Sequence, residues 1–458
     1  MRPIYFYLYI GDNVNNKEMN VTKIMKFGGT SVGSPERFRA LIPLVNDGEN
    51  NIIVLSAMSG TTNSLIGITD AVLAGDADKA NENIKNLKDK YIKVVDELYK
   101  SDDYKNRGWD FINTMFDYIS DITRNEFSVQ KEKIIHAQGE IMSTALFHLL
   151  LQEEKIDSVL LQALNFMKVD KDGEPDYNFI EDNLKRELRT QSPSKLIITQ
   201  GFICRNAYNE IDNLKRGGSD YSASIIGAAL KVKEIQIWTD INGVHNNDPR
   251  YVENTSVIRE MSFDEAAELA YFGAKILHPS SVIPARDKNI PVRLKDTMHP
   301  DDPGTIISGE ESFSDYKAVA AKDGITVIRI KSYRMLMAYG FLRKIFEIFE
   351  AHRTPIDMIA TSEVSVSLTI DDTSNLDDII KELEEFGHVE VEKDQTIICV
   401  VGDFRPETRG SAPEIFQALD SITLKMISYG GSSHSLSLLI DTENKVEALK
   451  SLSSNLFK

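Results

Sequence analysis

Short runs that are apolar at consecutive positions constrain this chain most. Strand-like segments occupy 23–27, 51–58, 158–163, 195–204, 234–239 and 291–294. Several lack the alternation of a half-exposed strand and suit a parallel strand covered on both faces. Helical patterns fill the intervals near 35–45, 80–99, 109–151, 220–229 and 262–272. Strand, helix, strand repeated over roughly 290 residues predicts a three-layer α/β domain with a mainly parallel central sheet. The polar stretch 168–177 reads as a surface excursion.

The texture changes at 301–316, rich in Asp, Ser, Gly and Pro, which reads as a linker. Beyond it the chain repeats. Aligned without gaps at an offset of 70, 340–370 matches 410–440. Gly340/Gly410, Ile345/Ile415, Phe346/Phe416, Ser362/Ser432, Ser365/Ser435, Ser367/Ser437, Leu368/Leu438 and Ile370/Ile440 are identical. Thr326/Thr396 and Ile328/Ile398 extend the register upstream. Each copy reads as an α+β unit of βαββαβ order, able to pair its sheet with the other's.

Composition narrows the function classes. The 458 residues carry a net charge of −18, which argues against nonspecific binding to nucleic acid or an anionic membrane. No segment reaches the roughly 18 uninterrupted apolar residues of a membrane span. The apolar start, 1–10, has no small-residue cleavage site and runs into Asp12, Asn13 and Asn15, so it is not read as a signal. Residues 1–22 form an N-terminal extension, and a cytoplasmic location is expected. The two cysteines, Cys204 and Cys399, lie beside apolar strand-like runs and read as small buried hydrophobes.

Five segments carry candidate chemistry. In Lys26-Phe27-Gly28-Gly29-Thr30-Ser31-Val32 a strand enters two glycines, two hydroxyls and then a helix. Backbone N–H groups of such a turn can approach a phosphate, and Lys26 stands at the carboxyl edge of the sheet. Neither GxxxxGK[ST] nor GxGxxG is present. Arg216-Gly217-Gly218-Ser219-Asp220 repeats the logic, with a guanidinium suited to a carboxylate or phosphate. Trp238-Thr239-Asp240 leads through Asn242-Gly243 to Asp248-Pro249-Arg250. Lys275 follows a helix end, and Glu140 lies inside a helix. Read singly, each is a turn, a cap or a solvated charge as readily as a site.

In their order the segments resemble the aspartate kinases of the amino-acid kinase family. The resemblance rests on KFGGTSV, SAMSGTTN at 56–63, QGE around Glu140, ITQGFI at 198–203, RGGSDYSA, WTDINGV…DPR and FGAKILHP. The repeat, with GFL at 340–342, IDMIATSEVSVSLT at 356–369 and SYGGSSHSLSLL at 428–439, resembles that family's paired ACT domains. The whole is similar to the short, monofunctional, lysine-inhibited type without a fused homoserine dehydrogenase. The resemblance implies a carbamate-kinase-like catalytic domain over 23–310 and ACT domains over 318–391 and 394–458, with strands exchanged between the two.

It also implies phosphorylation of the L-aspartate β-carboxylate by ATP with Mg²⁺, the metal held by no protein side chain. A β-carboxylate is already an anionic nucleophile at neutral pH, so catalysis rests on positioning and charge neutralisation. By the match, Lys26 contacts the phosphates and Asp220 organises Lys26. Gly28, Gly29, Thr30 and Ser31 form the phosphate-facing loop. Thr239, Asp240, His245, Arg250 and Lys275 hold the nucleotide. Arg216 clamps the substrate α-carboxylate and Glu140 its amino group, with Thr62 and Ser219 lining the site. An L-lysine effector would meet Met335, Phe341, Leu342, Ile356, Asp357, Thr361, Ser362 and Glu363, and two chains would pair through the repeats.

The sequence departs from the family pattern in three places. His245 stands where a tyrosine is common, Asn246-Asn247 replaces threonines, and Ala338 replaces a serine frequent in lysine-sensitive members. The last keeps threonine open as the effector. The rival readings are a same-fold kinase acting on glutamate, acetylglutamate or carbamate, and a non-catalytic amino-acid sensor.

Overall fold

A computed structural model describes residues 21–124, 126–191, 194–214, 217–272, 277–310, 314–335, 339–405 and 411–457. The N-terminal extension to residue 20, Arg216, Lys275, Ala338 and Gly410 lie outside them. In chain order the elements begin β1 (Lys23–Phe27), α1 (Pro35–Val45), β2 (Asn51–Leu55), α2 (Thr61–Leu73), α3 (Ala77–Leu98), α4 (Asp102–Thr123) and α5 (Val129–Glu153). There follow β3 (Ser158–Leu161), α6 (Tyr177–Thr190), β4 (Leu196–Gln200), β5 (Ile203–Arg205), β6 (Ile211–Asn213), α7 (Gly218–Leu230) and β7 (Glu234–Thr239). Next come β8 (Glu260–Ser262), α8 (Phe263–Tyr271), α9 (Pro279–Asp287), β9 (Val292–Asp296) and β10 (Thr305–Ser308). The remainder is β11 (Tyr316–Lys331), α10 (Phe341–Ala351), β12 (Ile359–Thr361), β13 (Ser365–Ile370), α11 (Leu376–Leu383), β14 (His388–Gly402), α12 (Ser411–Ala418), β15 (Met426–Ser428), β16 (Ser435–Asp441) and α13 (Lys445–Leu456).

The elements fall into two compact units. One runs to Gly243 and resumes over Ser280–Gly309; the other comprises Val244–Pro279 and Glu310–Lys458. The first is built on a sheet of spatial order β3-β4-β2-β1-β7-β9-β10. Every pairing from β3 to β9 is parallel, and β10 returns antiparallel to β9. Every residue of β2 and β4 is buried, the burial that consecutive apolar positions required. Parallel register brings the carboxyl ends of β1, β2, β4 and β7 to one edge, where open α/β sheets bind ligands.

The helices start where the sequence caps them. The side chains of Ser34, Asp76, Ser101, Ser128 and Asp176 each accept an N–H from the first turn that follows. The cap at Ser128 starts α5 and divides the expected helix 109–151 into α4 and α5. By length and composition α5 is apolar enough to cross a membrane, but 72% of its most apolar stretch is buried, which makes it a core helix. Helices α2 and α6 were not among those expected, and the stretch read as a linker contains β10.

The second unit carries an antiparallel sheet of order β12-β13-β11-β14-β16-β15. Its centre is a long ribbon: β11 pairs with β14 from Tyr316↔Gly402 to Lys331↔His388. Strand β13 joins the Thr326–Lys331 half of β11, and β16 joins the Gln395–Val401 half of β14. The first half of β11 therefore lies in the sheet of the second repeat. The limits 391 and 394 expected between the repeats meet inside β14. Each repeat has its own core, Ile328, Ile345, Leu368 and Ile370 in one and Ile398, Ile415, Leu438 and Ile440 in the other, at the offset of 70.

The catalytic span expected to end at 310 is divided, because 244–279 packs with the repeats. Val252 joins the second repeat's core. Asn247 Nδ2 donates to the Leu449 carbonyl at 3.0 Å, and Lys445 Nζ donates to the Tyr251 hydroxyl at 3.1 Å. Helix α8 is tied to β11 by a buried ion pair, Lys317 Nζ to Glu265 Oε2 at 2.6 Å. The same carboxylate closes the capping box of α8 with Ser262.

Candidate active site

Strand β1 ends with Lys26 buried, and α7 opens with Asp220 in its first turn. Lys26 Nζ stands 2.5 Å from Asp220 Oδ1. Burying one ammonium without a partner would be costly, and the adjacent carboxylate offsets that cost. The loop after β1 is held on both sides. Gly28 N–H donates to the Trp238 carbonyl at the end of β7, and Ser59 N–H donates to the Gly29 carbonyl from the loop after β2. Ser31 Oγ and Thr297 Oγ1 lie 2.7 Å apart in a buried pair.

Two helices present free N-termini here. Helix α2 follows Gly60 and α7 follows Gly217, at φ 77° and 80°, and neither has a side-chain cap. Glycine takes that backbone geometry without strain and puts no side chain on the first-turn N–H groups, of which Thr61 N–H donates to the Met58 carbonyl. An anion is the ligand such ends favour. Both termini line one cavity of about 360 Å³, together with Gly29, Ser56, Ala57, Thr62, Glu140, Phe202 and Ser219.

Glu140 is the unusual group in the cavity. Helix α5 delivers it almost fully buried, and Oε2 has no hydrogen-bond partner among the described residues. Burial pushes its carboxyl up to about 8, while backbone N–H groups of Ala57 and Glu140 and the nearby Lys26 pull the other way. In the empty cavity at neutral pH it is largely protonated. An incoming ammonium would stabilise the ionised form.

The structure thus brings together Lys26, Gly28, Gly29, Thr30, Ser31, Thr62, Glu140, Ser219, Asp220, Thr239 and Asp240 in the first unit. Thr239 ends β7, its hydroxyl donates to Asp240 Oδ1 at 3.2 Å, and its carbonyl accepts from Thr297 N–H. His245 and Arg250 belong to the second unit. There His245 Nδ1 lies 2.8 Å from Thr255 Oγ1, and Arg250 is bound to Asp248 at 2.6 Å. Ser56 and Phe202 line the cavity without having been singled out from the sequence. Phe202 has a positive φ of 64°, a strain found where function holds a residue in place, and only Gly201 separates it from the end of β4.

In the first repeat, Phe341 is buried, while Leu342, Thr361, Ser362 and Glu363 are exposed. Met335 and Ile356 pack against the repeat's core. Asp357, expected to be open for a ligand ammonium, is engaged: Oδ1 accepts from Lys322 Nζ at 2.9 Å and from the Tyr271 hydroxyl at 2.6 Å. The physical reason is burial. Its side chain is 1% exposed, so its charge needs an internal partner.

A parallel sheet with a lysine, a glycine loop and two helix starts without side-chain caps on its carboxyl edge is suited to binding a phosphate-bearing ligand. The amino acid kinase family profile matches residues 22–296, and an ACT domain profile matches 398–456. Lysine-sensitive aspartokinase 3 of Escherichia coli is 32% identical over 96% of this chain and 100% of its own. The crystal structure of E. coli aspartokinase III in complex with aspartate and ADP superposes with a TM-score of 0.84, at 31% identity over 95% of this chain and 100% of that one. The same enzyme in complex with lysine and aspartate gives 0.77, at the same identity and coverage. The chain belongs to the aspartokinases of the amino acid kinase family.

The state of Glu140 has a measurable consequence. Its folded pKa lies above the unfolded value of 4.5, so the folded state holds the proton more tightly. Its effect on stability is absent below about pH 4.5, grows unfavourably as pH rises, and is complete above about pH 8. Glu140→Gln should therefore melt a few degrees above the parent at pH 8, and the gap should close toward pH 4.5. Thermal melts of the ligand-free protein across that range check this; a gap independent of pH would contradict it.

Proposed function

We propose that this aspartokinase transfers the γ-phosphoryl group of ATP to L-aspartate at the carboxyl edge of the first unit. The observation that carries the reading is the Lys26–Asp220 pair beside a cavity lined by Glu140, whose Oε2 has no hydrogen-bond partner among the described residues. An oxygen of the substrate β-carboxylate forms a bond to the γ-phosphorus. The bond from phosphorus to the bridging oxygen breaks, and ADP leaves with that electron pair. No proton moves, so no general base is required.

What must be overcome is repulsion between a carboxylate and a triphosphate. Lys26 takes charge that develops in transfer, and Asp220 keeps its ammonium aimed into the site. Gly28, Gly29, Thr30 and Ser31 offer the phosphate loop. Glu140 accepts the substrate ammonium and becomes ionised as it does so. Arg216 takes the α-carboxylate, with Thr62, Ser219 and the N-terminus of α7 around it. Thr239 and Asp240 are assigned to the nucleotide. Mg²⁺ is assigned to the triphosphate. Bound there, it would neutralise phosphate charge.

Activity is read by trapping the acyl phosphate with hydroxylamine, aspartate against glutamate; equal turnover of glutamate would overturn the assignment. Lys26→Ala and Asp220→Ala should each lower kcat on the order of 10²–10³-fold, as loss of one transition-state charge contact does. Glu140→Ala and Arg216→Ala should act mainly on the aspartate KM. A Lys26→Ala kcat within about threefold of the parent would remove Lys26 from its role.

The first repeat is proposed to bind L-lysine as a feedback inhibitor. Asp357 and Glu363 are replaced by Ile427 and Ser433 at the offset of 70, so a ligand ammonium meets carboxylates in the first repeat. Exposed Glu363 is the open one. Asp357 becomes available only if the Tyr271 hydroxyl leaves it and Lys322 stays with Asp371, which it already touches at 2.9 Å. Glu363→Ala should raise the lysine needed for half inhibition by about tenfold, within the usual range of coupling. Titration with lysine and with threonine checks this. Threonine inhibition without lysine inhibition would reassign the effector.

The chain is also proposed to form a homodimer through the repeats. The sheet ends at β12 and β15, and Ile359 and Ile427 on those strands are exposed. Exposed apolar side chains on the last strands of a sheet favour pairing with a second copy. Sedimentation of the full chain should give twice its 51.5 kDa, and a monomer at tens of micromolar would contradict it.

A further inference from the structure

A cation stands beside the Ser59–Gly60 wall of the cavity. Lys90, on α3, reaches back to the loop between β2 and α2, where Nζ donates to the Ser59 carbonyl at 2.6 Å. A β-carbon at Gly60, a residue that lines the cavity, would stand 3.7 Å from that Nζ. The ammonium is partly buried and forms no ion pair among the described residues. Burial holds its pKa below the usual lysine value, with no neighbouring carboxylate restoring it. Lys26 differs, since Asp220 already neutralises it.

We propose that Lys90 is a substrate-positioning residue, whose charge draws a carboxylate of the amino-acid substrate to the Ser59–Gly60 rim of the cavity. This rests on the aspartate kinase reading and extends it. The substrate is a zwitterion with an additional carboxylate. The cavity offers Glu140 Oε2 without a hydrogen-bond partner and, among the described residues, Lys90 without an ion-pair partner. A half-desolvated ammonium is costly alone, and an anion arriving beside it offsets that cost. Ser59 connects the rim to the phosphate loop through its bond to the Gly29 carbonyl, so a carboxylate held there lies on the side from which the phosphoryl group comes.

Lys90→Gln and Lys90→Arg separate charge from loop pinning. Glutamine retains an N–H donor for the Ser59 carbonyl and removes the charge; arginine retains both. The KM for aspartate should rise about tenfold in Lys90→Gln at low ionic strength, and its dependence on salt should weaken, as loss of a steering cation predicts. The KM for ATP should stay within about twofold, and Lys90→Arg should restore the aspartate KM to within about threefold. An unchanged aspartate KM in Lys90→Gln overturns the proposal. So does a fall in kcat with the aspartate KM unchanged, which would make Lys90 a brace for the loop. If Lys90→Gln does not fold, the wild-type enzyme carries the test: an aspartate KM that does not change with ionic strength overturns the proposal. Wild-type enzyme with no aspartate-dependent ADP formation would instead defeat the underlying reading of the substrate.

Discussion

The first unit is organised around repulsion between two anions that must touch. Water would screen that repulsion but would also compete for the phosphoryl group, so the charges that oppose it have to be fixed in a largely buried place. A buried ammonium needs a counterion, and the fold provides one by ending β1 and starting α7 at the same point. That meeting of Lys26 with Asp220 at 2.5 Å requires β1 to sit inside the sheet, between β2 and β7. A central strand buried on both faces in turn requires the helices that cover it. The same parallel register brings the glycine-started ends of α2 and α7 to the cavity, where backbone dipoles supply positive potential without further ammonium groups.

The acid on the other wall follows a different logic. Burial favours the neutral form of Glu140, and an ammonium placed at Oε2 would favour the ionised one. This separates an α-amino acid from a simple dicarboxylic acid of similar size: the latter would leave Oε2 with nothing to receive. The cavity therefore discriminates by what it leaves unsatisfied as much as by what it contacts.

Much of this architecture was legible in the chain. Strands β1 and β7 and helix α1 have the limits their apolar runs and caps imply, since Pro35 after Ser34 and an unbroken Lys23–Phe27 run leave little alternative. The repeat register survives as paired core positions such as Leu368 and Leu438. Other features depended on contacts that local pattern does not encode. Helix α2 begins at a glycine with no capping side chain, so its start carried no signal. Residues 244–279 read as part of the catalytic span because nothing local shows that Val252 packs among side chains near the other end of the chain. Lys26, Glu140 and Asp220 could be picked out by resemblance, but the engagement of Asp357 by Lys322 and Tyr271 could not. That pairing joins three segments distant in sequence, and it changes which carboxylate is open.

The long ribbon of β11 and β14 bears on how the second unit can move and how it can be cut. Each strand serves one repeat with one half and the other repeat with the other half. Two beads on a flexible string could unfold or turn separately; two sheets threaded on the same pair of strands cannot, because opening one strips hydrogen bonds from the edge of the other. A disturbance in the first repeat is thus delivered to the second through continuous backbone rather than across a seam. By the same continuity, neither repeat can be excised as a self-contained sensor: a cut near residue 392 would pass through the middle of β14 and leave each fragment without one of its inner strands.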